Sequence, residues 1–394
     1  MEKELKASEI AQRLLKLQRK LQEKNLDGCL ITSNVNLYYY AGTVQAAYLF
    51  LPREGEPILF TRKNYRQARA QSPLKEICLI KKPEEIKELL TEVGIKPAQL
   101  GLELATLPVK DYQRLVQIFS GIEVHDISNL IREQRAVKSP YELQQLKATG
   151  AKAAVVFEAF PRLIKAGMLD YELAAAVEYE FRKAGHIGLI RNYGANQDFF
   201  FGQVLVGDNA LEPPAYDLAL GGQGLSRAFP LGTSGKALKP GQTILIDYVA
   251  NFYGYNVDIS RTYSLGSLPA EQNKAYQVAQ EIQEKIAMTA KPGVSCAALY
   301  DLALKTVKNY NLEQYFMGYE EQAKFVGHGL GLELNELPVL AAKFKVELQA
   351  GMVIALEPKF VFPHIGAVGL ENTFVVGEHG LEKITPIKEE IFAV

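Results

Sequence analysis

Cysteine is scarce in this chain of 394 residues, which contains only Cys29, Cys78 and Cys296. The three are widely separated and form no CxxC pair, so no disulfide framework is indicated. Such cysteine usage is typical of proteins in a reducing compartment. We therefore expect a cytoplasmic location.

The chain also lacks a charge bias and a long apolar run. Its formal net charge is -1, which indicates neither nucleic acid nor an anionic membrane as a partner. No uninterrupted apolar stretch reaches the length needed to cross a bilayer. The N-terminal segment is charged and has helical periodicity, unlike a secretory signal. The sequence thus predicts a soluble protein.

Apolar residues make up 48% of the chain, enough for ordinary cores, and the length suggests two domains. Helical and strand-like stretches alternate to about residue 130, which predicts an α/β domain. Ser139-Pro140-Tyr141-Glu142 is typical of a helix start, with serine as N-cap, proline at the first helical position and glutamate three residues after the cap. We expect an α/β domain over residues 1–133 and an α+β domain over residues 134–394.

Helical periodicity predicts several further helices. They cover residues 8–25, a segment starting at Asp170 and ending near Ala184, and residues 269–290 and 295–309. In the second domain, two helices followed by strands and an acidic hairpin occur twice. This order suggests a duplicated architecture in which each half supplies two carboxylates.

The acidic hairpins carry the first indication of chemistry. Asp247 lies in the apolar run TILIDYV and Asp258 in YNVDISRTY. A hairpin centred on Phe252 and Tyr253 would place these two carboxylates opposite each other. Like charges directly across a strand pair are destabilising, and burying them unpaired costs far more.

The second hairpin repeats this arrangement. Glu357 lies in MVIALEPKF and Glu371 in AVGLENTFVV, and a hairpin centred on His364 would place them opposite each other. Two such pairs, together with His328, suit divalent cations bound through oxygen and one imidazole.

At these residues the chain resembles the pita-bread metallopeptidases, which include Xaa-Pro aminopeptidases, prolidases and methionine aminopeptidases. The five matching segments are, in order, Asp247, Asp258-Ile259-Ser260-Arg261-Thr262, Gly327-His328-Gly329-Leu330-Gly331, Glu357-Pro358 and Glu371-Asn372-Thr373. The first domain is similar to the creatinase/prolidase N-terminal domain, as in Asn36-Leu37-Tyr38-Tyr39-Tyr40-Ala41-Gly42. The implied fold is an α/β N-terminal domain followed by an α+β pita-bread domain.

The resemblance implies a ligand set and an activity. It assigns Asp258 and Glu371 as bridges between two divalent metal ions, Asp247 to one ion, and His328 and Glu357 to the other. Manganese is the first expectation for this oxygen-rich set, with cobalt, iron and zinc as alternatives. The implied enzyme is a dinuclear Xaa-Pro peptidase, a homodimer that cleaves short peptides before proline, with Glu357 passing a proton to the leaving nitrogen.

The chain also departs from the family pattern. No histidine occurs in Arg227–Gly232, where one usually precedes the first aspartate, and Asn335 replaces a second histidine. Gly369 replaces an arginine, and Lys359 replaces the glycine after Glu-Pro. The metal ligands are thus intact, whereas groups that contact substrate and transition state in the family are lost.

Several residues are candidates for replacing the lost groups. His364 is a candidate catalytic residue, and His186 and Asn335 are candidate substrate-binding residues, although a surface or turn position is the simpler expectation for each histidine. Lys359 could supply a cation, but most lysines beside strands are solvated. Two other functions stay open: a metalloenzyme acting on a non-peptide small molecule, by amide hydrolysis or lyase chemistry, and a metal-binding homologue without catalysis.

Overall fold

The computed structural model describes residues 5–194 and 201–394. The chain divides into two compact units, Met1–Arg135 and Ala136–Val394. The sequence-based boundary after residue 133 lies two residues earlier. None of the helices in the described ranges combines the length and apolar character that a bilayer crossing requires.

The first unit is a mixed α/β domain, as expected. Its helices are α1 (Ala7–Glu23), α2 (Asn34–Ala41), α3 (Tyr65–Gln71), α4 (Glu84–Glu92), α5 (Val109–Ile118) and α6 (Ser128–Ala136), the last of which ends at the unit boundary. Its strands are β1 (Gly28–Ile31), β2 (Ala47–Pro52), β3 (Ile58–Thr61), β4 (Glu76–Leu79), β5 (Gln99–Leu102) and β6 (Glu123–Asp126). They form one sheet in the order β4-β3-β2-β1-β5-β6.

The second unit contains the remaining elements. Its helices are α7 (Pro140–Phe157), α8 (Asp170–Lys183), α9 (Ala270–Thr289) and α10 (Cys296–Lys308). Its strands are β7 (Gly202–Val206), β8 (Thr243–Asn251), β9 (Asn256–Ser264), β10 (Gly327–Gly329), β11 (Glu336–Leu340), β12 (Val353–Leu356), β13 (Lys359–Phe362), β14 (Gly366–Gly369), β15 (Asn372–Val376), β16 (Leu381–Lys383) and β17 (Phe392–Ala393). They form sheets β11-β10-β12-β15-β16, β17-β9-β8-β7 and β13-β14.

The predicted helix starts and ends are confirmed closely. Ser139 caps α7 by accepting a hydrogen bond from the Glu142 amide, while the Glu142 side chain accepts from the Ser139 amide, which completes the capping box. Helix α7 ends at Phe157, four residues before Pro161. The core of this unit packs α9 and α10 against the sheet that contains β12, through buried residues such as Ile282, Leu299 and Ile354.

The register of the first acidic hairpin differs from the prediction. Asp247 lies opposite Ser260, and Asp258 lies opposite Val249. The turn is centred one residue later than expected: Asn251 pairs with Asn256 and accepts a hydrogen bond from the amide of Gly254, whose φ is 84°. Since this register shifts the pairing by an even number of residues, both carboxylates stay on one face of the sheet.

The register of the second hairpin is confirmed, but the hairpin divides into two ladders. Lys359 pairs with Gly369 in the β13–β14 ladder, and Leu356 pairs with Asn372 in the β12–β15 ladder. Both ladders keep the register centred on His364. Glu357 and Glu371 therefore lie across from each other at the break between the ladders.

Candidate metal centre

Arg261 fixes the strands that present Asp258 and Glu371. Its guanidinium is fully buried and donates hydrogen bonds to the carbonyls of Ser260 and Glu371 and to the side chain of Asn372. The Glu371 amide also donates to the Ser260 carbonyl. These bonds join β9 to the segment before β15 and bring the two carboxylates together.

Helix α9 supports the break where the two glutamates lie. The side-chain amide of Gln283 donates to the carbonyls of Leu356 and Leu370, the residues that precede Glu357 and Glu371. Gln283 thus satisfies backbone groups that the interrupted ladders leave unpaired. Both carboxylates can therefore point into the site while the carbonyls of Leu356 and Leu370 keep a hydrogen-bond donor.

His328 is held between two close neighbouring strands. Its flanking residues are glycines: a Cβ on Gly327 would lie 2.3 Å from the Ala355 carbonyl oxygen, and one on Gly329 would lie 2.1 Å from the Leu337 carbonyl oxygen. The His328 Nδ1 atom lies 3.1 Å from the Gly329 carbonyl oxygen, to which it can donate. The Nε2 atom faces the carboxylates, 3.7 Å from Asp258 Oδ2 and 3.5 Å from Glu357 Oε1.

Lys359 lies inside the carboxylate cluster. Its Nζ atom donates to Glu357 Oε2 at 2.7 Å, Glu371 Oε2 at 3.0 Å and Asp247 Oδ2 at 3.2 Å. The side chain is 0% exposed. The expectation of a solvated lysine was wrong, because Glu357 and Lys359 are two residues apart and project to the same side of the extended chain.

Burial controls the charge of these groups. It raises the pKa of Asp258 and of Glu371, and it raises the pKa of Asp247 to about 6. Burial also lowers the pKa of Lys359, but the surrounding carboxylates outweigh this effect and raise that pKa well above its usual range. Lys359 therefore keeps its positive charge, and this single charge is too little to neutralise all the carboxylates around it.

The remaining donor atoms fit one divalent cation. Asp258, His328 and Glu371 each offer a ligand atom, and these atoms lie within 4.8 Å of one another. Within the described residues, Glu371 Oε1 is buried and has no hydrogen-bond partner. A buried carboxylate oxygen without a partner, on a residue of this group, suits a bound cation.

Lys359 occupies part of the ligand set expected for a second cation. The resemblance assigned Asp247 and one oxygen from a bridging carboxylate to that ion, and these oxygens accept hydrogen bonds from the ammonium group. The expectation of two metal ions stays a prediction.

The site opens into a cavity. Its lining includes the five predicted ligand residues, Asp247, Asp258, His328, Glu357 and Glu371, and also Gln203, Asp217, Phe325 and Asn335. The Asn335 amide donates to the Asp217 carbonyl at 3.3 Å. Asn335 thus lies where a substrate could reach it. Sequence reasoning missed Gln203, Asp217 and Phe325, because no local pattern marks them.

His186 lies outside the described lining of this cavity. Its Nε2 donates to the Val249 carbonyl, and its Nδ1 accepts from the Gly188 amide. The ring also stacks on Phe201, with centroids 4.4 Å apart. Both nitrogens are thus engaged in holding the backbone, which leaves none for a substrate.

His364 occupies the tip of the β13–β14 hairpin. Its side chain is 90% exposed, and its φ is 66°. Its backbone amide donates to Asp208, and the residue is absent from the described lining of the cavity. This position corrects the expectation of a catalytic His364: the turn requires the backbone conformation of this residue and directs its ring to solvent.

Comparison with known proteins places this geometry in a family. Residues 144–378 match the model of Metallopeptidase family M24, and residues 13–137 match that of the Creatinase/Prolidase N-terminal domain. The chain belongs to metallopeptidase family M24. The M24 match contains every residue of the cation site described above.

Relatives of this M24 protein extend along its whole length. The Xaa-Pro dipeptidase of Pyrococcus furiosus is 28% identical over 383 residues, which cover 96% of this chain and 99% of the relative. The structure of the prolidase from Pyrococcus horikoshii OT3 has a TM-score of 0.80 and 26% identity, and covers 96% of this chain and 99% of its own. The structure of the Xaa-Pro dipeptidase from Bacillus anthracis has a TM-score of 0.82 and 25% identity, and the match covers 98% of this chain and 100% of that one.

Two departures of this M24 protein from its family pattern lie directly opposite each other. Lys359, where glycine was expected, pairs across the strands with Gly369, where arginine was expected. A Cβ on Gly369 would lie 2.8 Å from the Lys359 Cα and 2.9 Å from its Cγ. The small residue at position 369 is therefore what admits the lysine side chain.

Proposed function

We propose that this protein is a metal-dependent hydrolase that cleaves short peptides on the N-terminal side of proline. The convergence of Asp258, His328, Glu357 and Glu371 at the base of a cavity carries the proposal. Relatives that cover nearly the whole chain are Xaa-Pro dipeptidases, and they support this substrate class. The proposal extends to manganese as the metal, because carboxylate oxygens dominate the ligand set.

The residues of this chain would divide the work in the following way. Asp258, His328 and Glu371 would hold a divalent cation, which would supply Lewis-acid polarisation of the scissile carbonyl. Glu357 lies between the imidazole of His328 and the ammonium of Lys359, where its carboxylate can accept a proton from the attacking water and return it to the proline nitrogen. Asn335, at the cavity wall, is placed to donate a hydrogen bond to the substrate.

The test is hydrolysis of Xaa-Pro dipeptides and of matched Xaa-Ala dipeptides by protein reloaded with Mn²⁺. We expect turnover that requires proline and falls about 10²–10⁴-fold in Glu357→Gln, since general acid–base catalysis contributes about this much. Glu378→Gln, at an exposed position, is the control. Equal turnover in Glu357→Gln and wild type would remove Glu357 from the reaction.

A second candidate is hydrolysis or elimination on a small non-peptide molecule. Lys359 favours it, because an ammonium group lies where the family resemblance places a metal ion, and the family histidines are replaced as well. Metal binding without turnover of any peptide, together with turnover of small amides, would select this candidate. Metal binding without turnover in either panel would indicate a binding protein.

The proposal also includes a cytoplasmic homodimer. The cysteines are unpaired in the described structure, which supports a reducing compartment. Sedimentation of the purified protein tests the dimer: a monomer at micromolar concentration would contradict it.

A further inference from the structure

The ammonium group of Lys359 has a complete set of partners. A protonated lysine has three N–H donors, and Nζ has a separate carboxylate acceptor for each, on Asp247, Glu357 and Glu371. The side chain is 0% exposed. This is a closed binding site for one positive charge, and a residue of the chain itself occupies it.

Distances exclude a metal ion from the same position. Metal-binding oxygens lie about 2.0–2.2 Å from a Zn²⁺ or Mg²⁺ ion, whereas these oxygens lie 2.7, 3.0 and 3.2 Å from Nζ. A cation bound by the same oxygens would overlap the lysine nitrogen. The ammonium and such an ion would also repel each other strongly in a buried site.

The two glutamates direct their oxygens to different neighbours. Glu357 gives Oε2 to Lys359, while its Oε1 lies 3.5 Å from His328 Nε2. Glu371 gives Oε2 to Lys359, while its Oε1 has no partner among the described residues. Each glutamate therefore gives one oxygen to the lysine and keeps its second oxygen out of that contact.

We infer that the Lys359 side chain takes the place of one divalent cation, so that each chain binds a single metal ion, at Asp258, His328 and Glu371. Glu371 joins this ion to the lysine instead of joining two metals. The inference concerns which cations the site holds and does not depend on proline specificity.

The lysine is built into the fold. Lys359 is the first residue of β13, a strand that is buried throughout. The space beside it exists because position 369 is glycine; a Cβ there would also lie 2.5 Å from the Pro358 carbonyl oxygen. Withdrawal of the ammonium from the cluster would place a charge among buried neighbours, which is costly.

The test is a count of metal in the full-length protein. Chelated protein is titrated with Mn²⁺, bound metal is measured by elemental analysis after gel filtration, and electron paramagnetic resonance reports whether the bound ions are isolated. We expect about one equivalent per chain, with the hyperfine-split signal of an isolated Mn²⁺ ion. Two equivalents with the signal of a coupled pair would overturn the inference, as would the absence of tight binding.

A variant tests whether Lys359 is the excluding group. Lys359→Gly opens the position and should bind a second equivalent, whereas Lys359→Met fills it without charge and should stay at one. Lys345→Gly, at an exposed lysine, is the control. A single equivalent in folded Lys359→Gly would contradict the assignment, and if this variant fails to fold, the wild-type count decides.

These outcomes are separate from those of the proposed function. Peptide hydrolysis with one equivalent supports both statements. Peptide hydrolysis that requires two equivalents refutes only the single-metal inference. One equivalent with no peptide hydrolysis refutes only the proposed function.

Discussion

At the scale of single residues, Lys359 sets the charge balance of the carboxylate cluster. It provides one positive charge among the buried carboxylates of Asp258, Glu357 and Glu371 and the partly buried carboxylate of Asp247. Removal of one partner from a buried ionic group is strongly destabilising, because it leaves charges uncompensated. The lysine should therefore matter to stability even when no metal is bound.

Replacement of Lys359 by methionine should lower the free energy of unfolding of chelated protein by about 3–5 kcal/mol at neutral pH. Methionine fills a similar volume but leaves three carboxylates without their donor. Urea unfolding measures the change. Lys345→Met, at an exposed site, should shift it by less than about 0.5 kcal/mol. If both variants unfolded like the wild type, Lys359 would contribute no charge compensation.

His186 should make stability depend on pH. Burial lowers its pKa from 6.5 to about 4. The unfolded chain therefore takes up this proton between pH 6.5 and 4 while the folded chain does not. The free energy of unfolding thus decreases as the pH is lowered through that window. The loss approaches about 3 kcal/mol at pH 4 and then stops.

The measurement is urea unfolding of wild type and His186→Gln at pH values from 7 to 4. Carboxylates titrate in both proteins, so the difference between the two curves isolates the histidine. Between pH 6.5 and 4 the difference between the two free energies of unfolding should change by about 3 kcal/mol. Parallel curves would show that His186 is protonated as readily in the folded protein as in the unfolded one.

The sequence predicted the ligand residues better than the residue that neutralises them. Asp247, Asp258, His328, Glu357 and Glu371 lie in segments whose order and spacing are distinctive. The contacts of Lys359 depend on β8 and on the segments that precede β13 and β15, which meet at one point. The burial of Lys359 could have been expected from its spacing to Glu357, since two residues that are two positions apart lie on one side of an extended segment.

At the scale of elements, the position of the turn decided whether the predicted register of each hairpin was confirmed. The β13–β14 connection is as short as expected, so its register was predicted correctly. The β8–β9 turn is centred one residue later than expected, and an asparagine side chain that bonds to the backbone shapes it, so its register was missed. Binary patterning predicts the face that a side chain takes but leaves even-numbered shifts of register undetermined.

The N-cap of α7 should have a measurable effect on stability. Ser139→Ala removes the acceptor of the Glu142 amide and should lower the free energy of unfolding by about 1 kcal/mol. Thermal or urea unfolding measures the change. Ser267→Ala, at an exposed position, is the control. Equal losses in both variants would argue against a specific capping contribution.

At the scale of the whole molecule, metal binding should stabilise the fold. A ligand that binds the folded state at 100 times its Kd adds about 2.7 kcal/mol to the free energy of unfolding. Wild-type protein in Mn²⁺ at about 100 times its Kd should gain this free energy of unfolding, as measured by urea unfolding with and without the metal. Asp258→Ala removes a ligand atom of the site and should abolish the gain. An equal gain in the variant would place the metal elsewhere.

The two-unit organisation was predictable because helical periodicity, strand-like runs and a capping sequence are local signals. The sheet orders of the second unit were not, because they pair strands that are distant in sequence, such as β9 with β17. The charge distribution in the site follows from these distant pairings. For this reason the sequence suggested two metal ions and did not predict the buried Lys359 ammonium, from which we infer a single ion.

The central claim is that one metal ion and the Lys359 ammonium share the carboxylate cluster. Anomalous diffraction at the manganese edge from crystals grown with excess Mn²⁺ tests it directly. We predict one anomalous peak per chain, beside Asp258, His328 and Glu371, with Lys359 in hydrogen-bond contact with Glu357 and Glu371. Two peaks, with the lysine displaced from the cluster, would contradict it.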